Sequence, residues 1–178
     1  MAAVHASWLS ADPLSTRRLS LEPLRIDHAH ELASLLADAS LYEYIGRSPP
    51  STAQLEARYA RQARGVSPDG AQGWLNWVLR LSAEDRLAGL VQATLSERDG
   101  AIAAELAWMV APAEQGAGLA SEAAGAVAAW LRAAGVVALS AHVHPDNVAS
   151  ESVARHAGLV ATPIIEAGET RCESPGSR

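Results

Sequence analysis

An apolar run from Ile102 to Val110 enters a turn containing Gly116 and Gly118, which opens onto a long alanine-rich stretch reaching Ala134. Strand, glycine turn and helix in that order restrict the chain to folds in which a helix N-terminus sits at the end of a sheet strand. The helix is expected from about Gly118 to Ala134, closed by Gly135. Glycines let a ligand approach the backbone closely, and free N–H groups at a helix start, with the dipole, favour an anion there. A pyrophosphate suits this turn. The segment lacks the Lys-Ser/Thr of a P-loop. It also lacks a full G-x-G-x-x-G and follows a hairpin instead of opening a βαβ unit, which weakens a dinucleotide reading. A glycine-rich turn with no ligand stays open at this point.

The remaining chain supplies one α/β domain. Thr16 to Leu24 alternates Leu19 and Leu21 with polar neighbours, a half-buried strand ended at Pro23. Asp27 is the expected N-cap of a helix from His28 to Asp38, and Ser51 of a second, Thr52 to Arg64. Strands follow at Trp74 to Leu81 and Leu87 to Leu95, and Asp99-Gly100 turns the chain into Ile102 to Val110. Beyond the long helix come a strand from Val136 to Val143, a helix from Val148 to Ala157 and a hairpin turning at Ala167-Gly168. The order β-α-α-β-β-β-α-β-α-β-β implies a mixed α/β (α+β) fold with a twisted, mostly antiparallel sheet. Residues 1–14 lack periodicity and read as a flexible lead-in, with residues 15–174 as the single domain.

Composition removes several classes. A formal charge of −6 with no basic run argues against a nucleic-acid partner. Ala123 to Leu131, ended by Arg132, falls short of the ~20 apolar residues of a membrane span. Met1 to Ser10 has no basic n-region followed by an apolar core, so no signal peptide is expected. The single Cys172 fits a reducing compartment, and no metal site is expected. These readings converge on a cytoplasmic protein. Abundant alanine and absent phenylalanine read as the coding bias of a GC-rich bacterial genome.

Gln115-Gly-Ala-Gly-Leu-Ala120 resembles the pyrophosphate signature Gln/Arg-x-x-Gly-x-Gly/Ala of the GNAT acetyltransferase superfamily. A second segment, His144-Pro-Asp-Asn-Val-Ala-Ser-Glu-Ser-Val-Ala-Arg-His-Ala-Gly-Leu159, looks like the strand-five to helix-four region of that superfamily. Both occur in the family's order, one helix and one strand apart, and the resemblance covers roughly residues 15–170. Arg18-Leu19-x-Leu21 and the Asn-x-x-Ser of the second motif resemble the ribosomal-protein N-terminal acetyltransferase branch.

The resemblance implies acetyl-CoA as co-substrate, an amine acceptor, and a monomer or homodimer. It implies that strands 102–110 and 136–143 splay apart, with a bulge near Met109. The cofactor-binding residues would be Met109, Val110, Gln115, Gly116, Ala117, Gly118, Leu119, Ala120, Ser121 and Asn147. Glu105 resembles the acid that many family members use as base or amine anchor. Flanked by apolar residues, it is expected to be buried, with a raised pKa; a structural pairing with Arg80 or Arg86 is the other reading. The family's common tyrosine acid is replaced by Ala154, and Ser150 resembles the serine proposed as general acid in the ribosomal branch. Gln115 stands where Arg is frequent, with Glu114 and Glu122 nearby, so the pyrophosphate would rest on backbone N–H groups, with Arg155 or His156 as possible helpers. Tyr42 and Tyr44 in the inter-helix loop, with Trp74 and Asn76 on one strand face, are the candidate acceptor residues. A catalytically silent acyl-CoA-binding module is the competing function, since it needs the turn but neither Glu105 nor Ser150.

Overall fold

The computed structural model describes residues 8–176. Eight strands form one sheet: β1 (Leu14–Ser15), β2 (Leu19–Pro23), β3 (Gly73–Leu81), β4 (Arg86–Arg98), β5 (Ala101–Val110), β6 (Ala138–Val143), β7 (Val160–Glu166) and β8 (Glu169–Glu173). Their spatial order is β1-β2-β3-β4-β5-β6-β8-β7. Only the β5–β6 pair is parallel. The helices are α1 (His28–Leu35), α2 (Thr52–Gln62), α3 (Leu119–Ala133) and α4 (Val148–His156). This is the mixed α/β architecture that the sequence order implies.

Strand alternation divides the core in two. Leu75, Trp77 and Leu79, with Val91, Ala93 and Leu95, face the side covered by α3. That helix presents Leu119, Ala123, Ala124, Val127, Ala128 and Leu131, one stripe at helical spacing. On the opposite face Val78 and Leu87, with Leu90 and Met109, pack beneath Ala29, Leu32, Leu55 and Tyr59 of α1 and α2. These two helices stop short of the row containing Gln92, Thr94 and Glu105, which is half-buried or exposed.

Local signals account for most element ends. Ser51 and Gln54 form a reciprocal capping box at the start of α2. Asp27 makes no side-chain cap; its carboxylate pairs with Arg25 at 3.1 Å. The first helix stops at Leu35 because Asp38 accepts from the Ser40 N–H at 2.9 Å and starts a 3-10 turn instead. Asp99-Gly100 and Ala167-Gly168 both adopt positive φ, as two-residue hairpin turns require.

The lead-in reading needs correction from residue 8 onward. The Trp8 indole donates to the Gly70 carbonyl at 3.1 Å, the Trp77 indole donates to the Asp12 carbonyl at 2.7 Å, and Leu14 pairs with Leu21. Tertiary contacts order a segment that lacks periodicity of its own; residues 1–7 lie outside the described residues. Cys172 is buried opposite Ala141, and burial, reinforced by Glu151, pushes its thiol pKa up. It is therefore a core residue and not a nucleophile. Among the described residues, no helix is long and apolar enough to cross a membrane.

Candidate active site

β5 and β6 pair only at Ala103–Ala138, Ala104–Leu139 and Glu105–Ser140. Beyond that point β6 follows β8 while β5 stays with β4, so a gap opens between them. The Ile102 carbonyl accepts from the Val137 N–H across the junction at 2.9 Å. Alternation then aims the main-chain groups of Leu106, Trp108 and Val110 into the gap. The expected bulge near Met109 is absent: the β4–β5 register is continuous through Leu90–Met109, and Met109 turns its backbone toward β4. Divergence of β6 frees the strand edge instead. Gly89 sits behind this stretch, where a Cβ would collide with the Met109 carbonyl.

At the end of β5 the glycine turn presents donors. Gly116 and Gly118 both have φ +77°, and Gly118 is the left-handed N-cap of α3. The N–H groups of Gly116 through Ser121 have no acceptor among the described residues; the Glu122 N–H bonds the Gly118 carbonyl at 3.0 Å. Gln115 Nε2 donates to the Val110 carbonyl at 3.2 Å, closing the turn onto its strand. Arg18 holds the turn from the other side, donating to the Ala117 carbonyl at 2.8 Å and to Glu122 at 2.7 Å. Glu122 also accepts from the Thr16 hydroxyl and the Arg18 N–H; burial raises its pKa, but these bonds outweigh it and hold the carboxyl low. Glu114 pairs with Arg86 at 2.6 Å. Both carboxylates flanking the glycine turn are thus matched by arginines. Six unpaired donors beside a free strand edge fit a coenzyme with a pyrophosphate and an amide-bearing arm.

Across the gap, Asn147 Oδ1 accepts from the Ser150 N–H at 3.0 Å, which makes Asn147 the N-cap of α4 and leaves its amide NH2 free to donate. The Ser150 hydroxyl accepts from the Trp108 indole at 3.0 Å. Its own proton is therefore available to a ligand. Arg155 and His156 are engaged within α4, with Glu151 and with the Ser152 carbonyl, at 3.7 and 2.8 Å.

On the opposite sheet face lies a chain of charges. His142 Nδ1 donates to Glu105 at 3.1 Å and Nε2 donates to Glu166 at 2.7 Å. Two carboxylate acceptors require both ring nitrogens to be protonated, hence an imidazolium. Burial disfavours that charge, but the bonds to Glu166 and Glu105 prevail and the His142 pKa rises. Glu166 is held below the usual carboxylate range, first by that bond and then, against burial, by Arg171. Nearby, a cavity of ≈ 240 Å³ between α2 and the sheet is lined by Arg58, Arg61, Gln62, Trp74, Asn76, Gln92, Ala93 and Thr94.

Residues 18–160 match the sequence profile of the "Acetyltransferase (GNAT) domain" family. The chain belongs to the GNAT acetyltransferase family. Among solved structures, a GNAT acetyltransferase from Bacillus anthracis superposes with a TM-score of 0.71 at 17% identity, covering 91% of this chain and 96% of that one. A Vibrio cholerae protein provisionally assigned as a ribosomal-protein-serine acetyltransferase gives 0.69 at 17% identity, with 91% and 96% covered. An aminoglycoside acetyltransferase in complex with coenzyme A gives 0.71 at 15% identity, with 88% and 94% covered. No curated protein sequence matches the chain.

Within this GNAT fold some sequence expectations are displaced. The Glu105 side chain is 51% exposed, not buried, because α1 and α2 stop short of its row on that sheet face; its partner is His142. Arg80 and Arg86, the alternatives, are taken by Glu22 and Glu114. Tyr42 is buried and donates to the Leu36 carbonyl at 3.0 Å, which makes it a brace for the end of the first helix and not an acceptor residue. Tyr44 stacks against His144, ring centroids 5.0 Å apart, and so ties the inter-helix loop to the end of β6. Trp74 and Asn76 both line the cavity. His142 and Glu166 were missed. The signal for His142 was its parity with Ser140 on β6, which is useful only once the parallel register to Glu105 is known.

The imidazolium predicts a pH dependence. A pKa raised on folding adds stability that is full below the unfolded value of about 6.5 and is lost as pH rises through the folded value. The stability gap between wild type and His142→Asn, read from urea melts, should therefore be largest at acidic pH and shrink above neutrality. A gap that widens with rising pH would contradict a charged His142.

Proposed function

We propose that the protein transfers an acetyl group from acetyl-CoA to a primary amine, a protein N-terminus or a small molecule, by direct attack in a ternary complex. The observation that carries this reading is that the β5 edge freed by the divergence of β6 leads to the unpaired N–H groups of Gly116 to Ser121, with Glu105 on one face of β5 and the Trp108–Ser150 pair on the other. Bound acetyl-CoA supplies an activated thioester. The N–H groups of Gly116 to Ser121 would hold its pyrophosphate, and the edge groups of Leu106 and Trp108, with the Asn147 amide, would align its arm. From Glu105 to Val110 is roughly 17 Å along β5 at ~3.3 Å per residue. Glu105 receives the ammonium and takes its proton, while His142 and Glu166 fix the carboxylate's orientation. Ser150, steered by Trp108, delivers a proton to the departing sulfur as the C–N bond forms and the C–S bond breaks. A cytoplasmic setting suits a chain whose single cysteine is buried.

Free-thiol release from acetyl-CoA on addition of a primary-amine panel tests this reading. Amine-dependent release is the expected result. Acetyl-CoA binding with no release for any amine would favour the silent acyl-CoA-binding module and overturn transfer. Ser150→Ala should lower kcat about 10–100-fold with little change in acetyl-CoA affinity, because the hydroxyl acts as sulfur acquires charge. An unchanged kcat, with chemistry rate-limiting, would assign Ser150 a purely structural role.

A further inference from the structure

We propose that the acceptor is zwitterionic: a primary amine carrying an anionic group one to two strand spacings away, bound with its ammonium at Glu105 and its anion at Arg58 and Arg61. This deepens the transfer reading and rests on it. Arg58 and Arg61 lie one turn apart on α2 and both line the ≈ 240 Å³ cavity. Neither has a carboxylate within ion-pair distance among the described residues. Like charges at this spacing weaken a helix, so α2 carries two guanidinium groups without an ion-pair partner among the described residues. Guanidinium is the side chain best shaped to grip a carboxylate or phosphate.

The middle of the site is polar. Gln62 Oε1 is buried without a hydrogen-bond partner, and it lines the same cavity. Asn76 accepts from Gln92 at 2.8 Å, an amide pair forming the cavity floor. An unsatisfied buried oxygen beside amides suits an N–H donor on the ligand, such as a peptide group. At the other end Thr94 pairs in register with Glu105, so cavity and carboxylate share one sheet face. Cross-strand neighbours are ~5 Å apart, so a ligand reaching from the cavity past Thr94 to Glu105 spans at least one strand spacing. Around Glu105, the His142 imidazolium is shared with Glu166, and Glu166 is further shared with Arg171 at 3.4 Å. Glu105 thus keeps one oxygen for an ammonium. A polycation would place its second charge against Arg58 and Arg61, where like-charge repulsion rejects it.

The matched probes are glycylglycine and glycylglycinamide, which share the amine and the length and differ in the terminal carboxylate. Spermidine serves as the polycation. In the wild type, kcat/KM for glycylglycine should exceed that for glycylglycinamide at least tenfold, with spermidine poorest. Calorimetric titration into CoA-saturated protein should give the same order without turnover. The Arg58→Ala/Arg61→Ala double variant should remove the difference between the two peptides and improve spermidine, with acetyl-CoA affinity unchanged. Equal or better use of glycylglycinamide or spermidine by the wild type overturns the zwitterion assignment while leaving acetyl transfer standing. So does failure of glycylglycine to bind or react while other amines are acetylated. Absence of acetylation with every amine overturns the transfer reading itself.

Discussion

Replacing Glu105 with Gln is expected to cut kcat/KM by roughly 10²–10⁴-fold at neutral pH while leaving acetyl-CoA affinity nearly intact. The amide oxygen can still accept from His142 Nδ1, which lies 3.1 Å from the carboxylate in the wild type, so the local geometry should persist. What disappears is the proton acceptor and the negative charge facing the incoming ammonium. Part of the loss should return at high pH, where more of the free amine is already deprotonated. The wild-type profile of kcat/KM should carry a rising limb reporting an ionisation of free enzyme or free substrate. If Glu105 only braces His142, the variant should melt at a lower temperature and keep its turnover. Measuring Tm and kcat/KM on one preparation separates these outcomes. A fully active Glu105→Gln protein would remove Glu105 from the mechanism.

Acetyl-CoA at about one hundred times its Kd should stabilise the wild type by ~2.7 kcal/mol through mass action. For a domain of this size that corresponds to a Tm increase of roughly 5–10 °C. Gly118→Val should abolish this shift. The position has φ +77°, and its added Cβ would meet only the Arg18 guanidinium at 3.6 Å, an ordinary contact. The main cost of the substitution is backbone strain of about 1–3 kcal/mol, which lowers the starting Tm without unfolding the domain. The donors from Gly116 to Ser121, by contrast, depend on that backbone conformation and on close access to it. A wild type that shows no shift with millimolar acetyl-CoA would refute the binding site. A variant that keeps the full shift would move the phosphate contacts away from the α3 N-terminus.

The sequence by itself determined the elements and the two motifs, because caps, turn residues and apolar periodicity act over a few residues. The Ser51–Gln54 box, the Asp99-Gly100 hairpin and the α3 apolar stripe were readable for that reason. The glycine turn and the Asn147–Ser150 helix start are equally local, and both lie where their spacing places them. Only tertiary structure decided which side chains meet. Glu105 reads as buried between Ala104 and Leu106, but it stands on the sheet face that α1 and α2 leave uncovered at this row. His142 and Glu166 join it because β8 inserts between β6 and β7, an arrangement set by strand order and not by any local pattern. Arg18 reaches Ala117 and Glu122 from about a hundred residues away, and Trp8 and Asp12 are fixed by partners at Gly70 and Trp77. Burial and partner choice depend on sheet register and on where helices end over the sheet. These are long-range properties that a linear pattern of apolar and polar residues leaves open.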